Sequence, residues 1–405
     1  MSMKILFLTP LLPFPPSGGD RIRTYHLLKY LGTRHEIWLL SFIGSPEELR
    51  YIPELERYCR NIRTVVLNGR HGFRHRLFNL FESRPYFAGK YFVSAEMTRE
   101  IDSLLNAHRF DVIHTSTLAM AQYTFDRRGA VKILDGIDSV SRNYLQQWMM
   151  PTGLRNRVLS FIDWLKTVNY EPSLYSRFDR CLLVSSVDRA YLHKKHPQLP
   201  IEIATIAVDH DYYRPGFTKE LPNRLVFSGD MSYVPNNDAM IFFCSRILPL
   251  IVHANPAVLL YIVGKNVSPK LATIARQKSN VVLTGFVEDY RRTIGDATVF
   301  VCPLRIGTGV KNKVLEAMAM GKAIVSTSVG AEGIPVVSGR EMFIADKPDA
   351  FARAVLRLLE DADTRKEYGH WARELVVREF DMENIAPRIE AIYDQEFDKV
   401  RLSRM

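Results

Sequence analysis

The chain has 405 residues, too many for one ordinary core and matched to two domains of about 200 residues each. Hydrophobic residues make up 47% and charged residues 24%, which excludes a disordered, collagen-like or coiled-coil chain. No run approaches the ~18 consecutive apolar residues of a membrane helix. The net charge of +10 lies in the first half: residues 1–200 hold 28 Lys and Arg against 18 Asp and Glu, and residues 201–405 hold 26 against 26. Such asymmetry points to nucleic acid, an anionic membrane surface or an anionic small substrate.

Lys4–Thr9 reads as a buried first strand. The apolar stretch Ile5–Leu12 is broken by Pro10, is followed by Pro13, Pro15 and Pro16, and has no small-residue cleavage site, so it is not read as a secretion signal. A helix over Asp20–Leu31 follows, then strands at Glu36–Phe42, Thr64–Leu67, Val112–Thr115, Lys132–Leu134 and Cys181–Val184. Ile201–Thr205 is strand-like, and Arg214-Pro215-Gly216 and Leu221-Pro222-Asn223 are breaker clusters. Beyond them, Leu225–Ser228, Val258–Val263, Val281–Thr284, Thr298–Cys302 and Ala323–Ser326 are short apolar runs between helical stretches. A helical tail covers Asp349–Leu359, Asp363–Glu379 and Glu383–Leu402. Continuous apolar strands between amphipathic helices indicate parallel sheets covered on both faces. The pattern runs twice, which gives an α/β chain of two doubly wound domains. Cys59, Cys181, Cys244 and Cys302 lack C-x-x-C spacing. They imply neither a disulfide framework nor a zinc site, and fit a reducing compartment.

Two stretches carry the phosphate-binding signal. The first strand runs into Gly18-Gly19-Asp20 at a helix entry, where glycine lets backbone approach a ligand and free N–H groups favour an anion. A tight turn capped by Ser17 or Asp20 is the plainer alternative. The stronger stretch is Pro303–Gly321: Gly307 and Gly309 flank Thr308 before a helix, Arg305, Lys311 and Lys313 add three cations, and Glu316 sits one turn after Lys313. A glycine-hinged helix tip can hold a diphosphate, and a carboxylate one turn along can accept both hydrogen bonds of a ribose diol. The competing reading is a basic helix start with Glu316 in a surface ion pair, but cations at a helix N-terminus oppose its dipole unless an anion offsets them. His114, Asp135 and Asp138 end predicted strands and either face a ligand or serve as caps and buried polar groups.

These pieces resemble glycosyltransferase family 4, and within it the subgroup associated with bacterial exopolysaccharide export. The resemblance is carried in the second half by FSGDMSYVPNNDAMIFF, LYIVGKNVSP, VVLTGFVEDY and FVCPLRIGTGVKNKVLEAMAMGKAIVSTSVGAEGI, and in the first by MKILFLTPLLPFPPSGGDRIRTYHLLKYL, STLAMAQY, ILDGIDSVS and AVDHDYYRP. It implies a GT-B architecture: two Rossmann-like domains facing a cleft, 1–213 for the acceptor and 214–380 for the nucleotide sugar, with a helix at 381–405 crossing back to the first. The implied activity is retaining transfer of a sugar from a nucleotide-diphosphate donor to a lipid-linked or oligosaccharide acceptor, without an essential metal. It implies donor contacts at Gly18, Gly19, Gly229, Gly285, Phe286, Val287, Gly307, Thr308, Gly309, Lys311, Lys313 and Glu316, with Glu316 on the ribose and Gly285, Phe286 and Val287 on the base. His114, Lys313 and Arg305 are the candidate catalytic groups, and Asp20, Asp135 and Asp138 the candidate acceptor contacts.

The chain departs from the family pattern at three places. The first of two spaced glutamates falls on Thr308, the cation pair after the first strand of the second domain is missing beside Gly229, and a His-x-His reads His114-Thr115-Ser116. Lys311, Lys313 and Arg305 are then the nearest cations for the leaving diphosphate. Asp209-His210-Asp211 has the spelling of a metal motif but falls in the expected linker. Residues 68–92 hold five Arg and Lys, one acid and seven aromatics. Arg74, Arg76 and Arg84 with Phe78 and Phe81 can meet an anionic membrane, or form an ordinary amphipathic helix. The expected location is cytoplasmic, on the inner face of the membrane, with no nucleic-acid partner. An epimerase of the same fold and a non-catalytic scaffold for polysaccharide assembly remain as alternatives.

Overall fold

The computed structural model describes residues 2–16, 18–67, 84–85, 92–150, 154–216 and 218–402. The chain forms two compact units, Met1–Ala207 with Met382–Met405, and Val208–Asp381.

The first unit holds a parallel sheet of β1 (Lys4–Thr9), β2 (Glu36–Ile43), β3 (Asn61–Val66), β4 (Val112–Ser116), β5 (Val131–Ile137), β6 (Arg180–Leu183) and β7 (Ile201–Ile203), in the order β3-β2-β1-β4-β5-β6-β7. Side chains alternate across the pleat, so β1 feeds two layers. Ile5 and Phe7 pack with Leu27, Leu28, Ile385 and Ile389, whereas Leu6 and Leu8 pack with Met97, Ile101 and Leu104 on the opposite face. This double burial is why the strand reads as continuously apolar. The C-terminal helix Met382–Leu402 is part of this unit. Its Ile385, Ala386, Ile389 and Tyr393 are buried, and each large apolar side chain contributes about 1.5–3 kcal/mol. Glu396 pairs with Arg180, and Glu390 accepts from His35 at 2.9 Å and Tyr30 at 3.1 Å.

The second unit holds β8 (Arg224–Ser228), β9 (Leu259–Val263), β10 (Val281–Gly285), β11 (Val299–Cys302), β12 (Ile324–Ser326) and β13 (Phe343–Ile344), all parallel, in the order β10-β9-β8-β11-β12-β13. The two doubly wound sheets expected from the sequence are present. Strand β13 was not expected: two residues are too few to show a period. The strand order reverses between β1 and β4 and between β8 and β11. Outside the carboxyl ends of strands at such a reversal, doubly wound sheets bind ligands.

Val234–Ala254 is long and apolar enough by length and composition to cross a membrane, although no unbroken apolar run marks it in the sequence. In the structure, Met240, Phe243, Cys244, Ile247 and Ile251 of this helix are buried in the second unit, and Phe243 meets Phe351 edge-on at 5.9 Å. It packs one face on the core of that domain and leaves Val234, Arg246 and Leu250 exposed on the other.

Candidate functional site

The carboxyl ends of β8 and β11 carry the site of the second unit. Strand β8 is followed by Gly229 at φ +151°, and a side chain there would lie 2.6 Å from both Lys313 Nζ and Asn236 Nδ2. Glycine is what lets the lysine enter. Lys313, on the helix Asn312–Ala319, reaches back over the Phe227 ring at 4.2 Å and donates to Asn236 Oδ1 at 2.5 Å. Asn236 is itself fixed, donating to the Asp230 carbonyl at 2.8 Å. Burial lowers the Lys313 ammonium to about 8, and the Lys311 charge adds to the shift. The helix that follows β11 thus brings a cation beside Gly229, where the sequence after β8 has none.

Strand β11 leads into the loop 303–311. Arg305 is engaged: its Nε and Nη2 donate to the two oxygens of Asp238 at 3.0 and 2.6 Å, and its guanidinium lies 4.5 Å from the Phe242 ring. It ties the loop to the helix Val234–Phe242, so its charge serves Asp238 first. Lys311 also turns inward. Its Nζ donates to the carbonyls of Gly307, Thr308 and Gly309 at 3.3, 2.9 and 2.5 Å. A trans peptide holds N–H opposite C=O, so three carbonyls drawn to one ammonium turn the amides of Thr308, Gly309 and Val310 away from it. Lys311 shapes the loop from within rather than standing at its surface. Gly307, at φ +130°, takes a backbone conformation that side chains disfavour. No side chain caps the helix Asn312–Ala319 at its N-terminus.

Glu316 sits one turn after Lys313 and is 5% exposed. Tyr290 Oη donates to its Oε2 at 3.0 Å, and Tyr213 Oη lies 2.8 Å from Tyr290 Oη. Burial raises the Glu316 carboxyl to about 7, opposed by the Tyr290 hydrogen bond, the Lys313 charge and Tyr213. Gly285 ends β10 at φ +71° with open space where a side chain would project. Phe286 is 73% exposed and Val287 half-buried. Thr308 is buried at the loop.

The first unit presents a different picture. Gly18, at φ +102°, precedes the helix Gly19–Leu31 with no side-chain cap, so Asp20 does not cap it and Gly18 and Gly19 lie exposed. His114 and Asp135 are in the core. Arg23 Nε donates to Asp135 Oδ2 at 2.6 Å and its Nη1 to the Thr205 carbonyl at 2.6 Å, while His114 Nδ1 is 2.6 Å from Tyr393 Oη. Burial lowers His114 to about 4, so it is neutral at physiological pH, and it has no exposure to a ligand in this state. It joins the sheet to the C-terminal helix. Asp138 is half-buried and follows Ile137, whose φ of +67° is a strained setting for a β-branched residue. Ser139 rather than Asp138 caps the next helix, accepting from Arg142 N at 3.3 Å. Glu171 reinforces that cap, accepting from Ser139 Oγ at 3.0 Å and from the amides of Val140 and Ser141 at 2.9 and 3.1 Å.

Arg74, Arg76, Phe78 and Phe81 lie outside the described residues, and Arg84 is exposed. Asp209 accepts from the Tyr212 amide and His210 meets Asp381 at 3.2 Å. Among the described residues no group of three or more His, Cys, Asp or Glu side chains is arranged to hold a metal ion.

Residues 222–361 match the family described as Glycosyl transferases group 1. An uncharacterized 44.6 kDa protein of the cps region of Klebsiella pneumoniae is 22% identical over 398 residues, covering 94% of this chain and 97% of that one. The capsular polysaccharide biosynthesis glycosyltransferase CapM of Staphylococcus aureus is 32% identical over 120 residues, 29% of this chain and 31% of CapM. Among solved structures, HepE of Anabaena in complex with UDP and glucose matches with a TM-score of 0.69 at 15% identity, over 97% of this chain and 100% of that one. The fold is GT-B. With the family match in the second unit, the chain is a glycosyltransferase.

Proposed function

We propose that this enzyme transfers a sugar, with retention at the anomeric carbon, from a nucleoside-diphosphate sugar to a lipid-linked or saccharide acceptor in the synthesis of a bacterial surface polysaccharide. The observation that carries the reading is the pairing of Lys313 and Glu316 one turn apart at the carboxyl ends of β8 and β11, beside an uncapped helix tip. Glu316 accepts from the two ribose hydroxyls. Lys313 and the loop amides turned outward by Lys311 take the diphosphate. As the bond from the anomeric carbon to the diphosphate oxygen breaks, negative charge grows on the leaving group. Donors already fixed at that position stabilise the charge without reorganising, which is commonly the largest catalytic term. Lys313 is half-buried, and its low-dielectric surroundings strengthen that interaction relative to water.

The relatives support the polysaccharide setting: one lies in a cps region and another acts in capsule biosynthesis. HepE was solved with UDP and glucose, which supports a uridine nucleotide here. The basic first half and the Arg74, Arg76 and Arg84 segment favour work at an anionic membrane face. The leaving-group charge is assigned to protein groups, and no metal is invoked.

The test is a panel of nucleotide sugars incubated with the purified chain in EDTA, with release of nucleoside diphosphate as readout, followed by lipid-linked acceptors and NMR of the product anomer. One donor should turn over in EDTA and give a product of unchanged anomeric configuration. Release of nucleotide from none of them, or sugar isomerisation in place of transfer, contradicts the reading.

A further inference from the structure

Glu316 is held by two phenols that no sequence pattern linked to it. Tyr290 comes from the turn after β10, just before the short helix Arg291–Gly295, and Tyr213 from the segment preceding β8. Three separate stretches of chain thus converge on one carboxylate. With Glu316 ionised, the proton order in this relay has a single solution. An ionised carboxylate only accepts, so the one phenolic proton of Tyr290 goes to Glu316 Oε2. The Tyr290 oxygen is then the acceptor in its 2.8 Å contact with Tyr213, and Tyr213 donates. We propose that Tyr290, backed by Tyr213, is a positioning residue that holds Glu316 ionised and in the orientation that binds the pentose of the nucleotide.

This rests on the nucleotide-sugar reading of the site and deepens it. A carboxylate offers about four lone-pair positions. Two phenols occupy at most two of them, which leaves enough for the two hydroxyls of a vicinal diol. The relay opposes the upward shift that burial imposes on this carboxylate; without it, Glu316 would take up its proton at a still higher pH and lose acceptor capacity across more of the neutral range. The groups that face it are few. Lys313 lies on its own helix and favours the charged form. Tyr213 and Tyr212 approach from the segment before β8, and both phenols feel its charge. Tyr290 approaches from the turn after β10, where Arg291 is already paired with Asp289 at 2.5 Å and stacked 3.7 Å over Tyr212. Tyr290 is the group that contacts an oxygen of Glu316 directly, and its own phenol is pushed well up by burial and by that contact, so it stays protonated and donating.

The experiment titrates uridine diphosphate, or guanosine diphosphate if that binds the wild type more tightly, and the matching 2′-deoxynucleotide into wild type, Tyr290→Phe, Tyr213→Phe and Glu316→Ala, between pH 5 and pH 9. Tyr290→Phe should weaken ribonucleotide binding about tenfold or more and move its acid limb upward by about one pH unit. It should also erase most of the preference for the ribonucleotide over the deoxynucleotide. Tyr213→Phe should do the same to a smaller degree, and it carries the test if Tyr290→Phe does not fold. Wild-type affinity, pH limb and sugar preference in the phenylalanine variants, alongside lost binding in Glu316→Ala, overturn the positioning role alone. Unchanged binding in Glu316→Ala overturns the nucleotide reading beneath it.

Discussion

Replacing Glu316 with glutamine should stabilise the empty second domain at neutral and alkaline pH while removing nucleotide binding. Burial raises this carboxyl from its ordinary 4.5 to about 7. Between those values the folded chain holds a proton that the unfolded chain has released. Stability therefore falls as pH rises through the window and levels off above it. A shift of about 2.5 units at 1.36 kcal/mol each is roughly 3 kcal/mol. That net shift already contains the Tyr290 hydrogen bond to the charged form; glutamine carries a second amide N–H that a protonated carboxyl lacks, and desolvating it costs about 1 kcal/mol, which leaves a gain of about 2 kcal/mol at pH 8. For a domain of this size that is about 4–8 °C in Tm, falling to zero or reversing near pH 5. Thermal unfolding of wild type and Glu316→Gln at pH 5 and pH 8, without nucleotide, measures it. A variant no more stable relative to wild type at pH 8 than at pH 5 would refute the buried, destabilising carboxylate. A residue that weakens its own domain is better explained by binding than by folding.

Lys311→Met should lower the stability of the second domain by about 2–3 kcal/mol, because three inward carbonyls lose their donor, and nucleotide affinity should fall even well below the unfolding temperature; unfolding curves and calorimetry report the two effects separately. Arg23→Ala strands the buried Asp135 carboxylate and should cost the first domain about 3–5 kcal/mol, an effect that Asp135→Asn in the same chain should partly relieve. Reversing Arg74, Arg76 and Arg84 to Glu should abolish sedimentation with anionic vesicles while neutral vesicles stay unbound, and retention on anionic vesicles at low salt would dispose of the electrostatic anchor.

The sheets were legible because their inner strands are buried on both faces and read as unbroken apolar runs, as Ile5, Leu6, Phe7 and Leu8 show. The helix tip was legible because its glycines, lysines and Glu316 are contiguous. What lay beyond was set by contacts between distant segments. Lys313 depends on Asn236, 77 residues away, and Glu316 on Tyr290, 26 residues away. The three cations at the tip looked equivalent by count. A flexible four-carbon stem let Lys311 fold back onto its own loop, and Asp238 captured Arg305, so they are not. For His114, the flanking Val112 and Ile113 were a usable sign of burial, and the hydroxyl that binds it arrives from Tyr393, 279 residues later.

Calorimetric titration of the purified chain with uridine diphosphate and uridine monophosphate puts the helix tip to its most direct test. The diphosphate should bind at least about tenfold more tightly, and Lys313→Ala should remove most of that advantage while leaving monophosphate affinity nearly unchanged. Equal binding of the two nucleotides, or an advantage that survives Lys313→Ala, would contradict the assignment of this tip to the diphosphate.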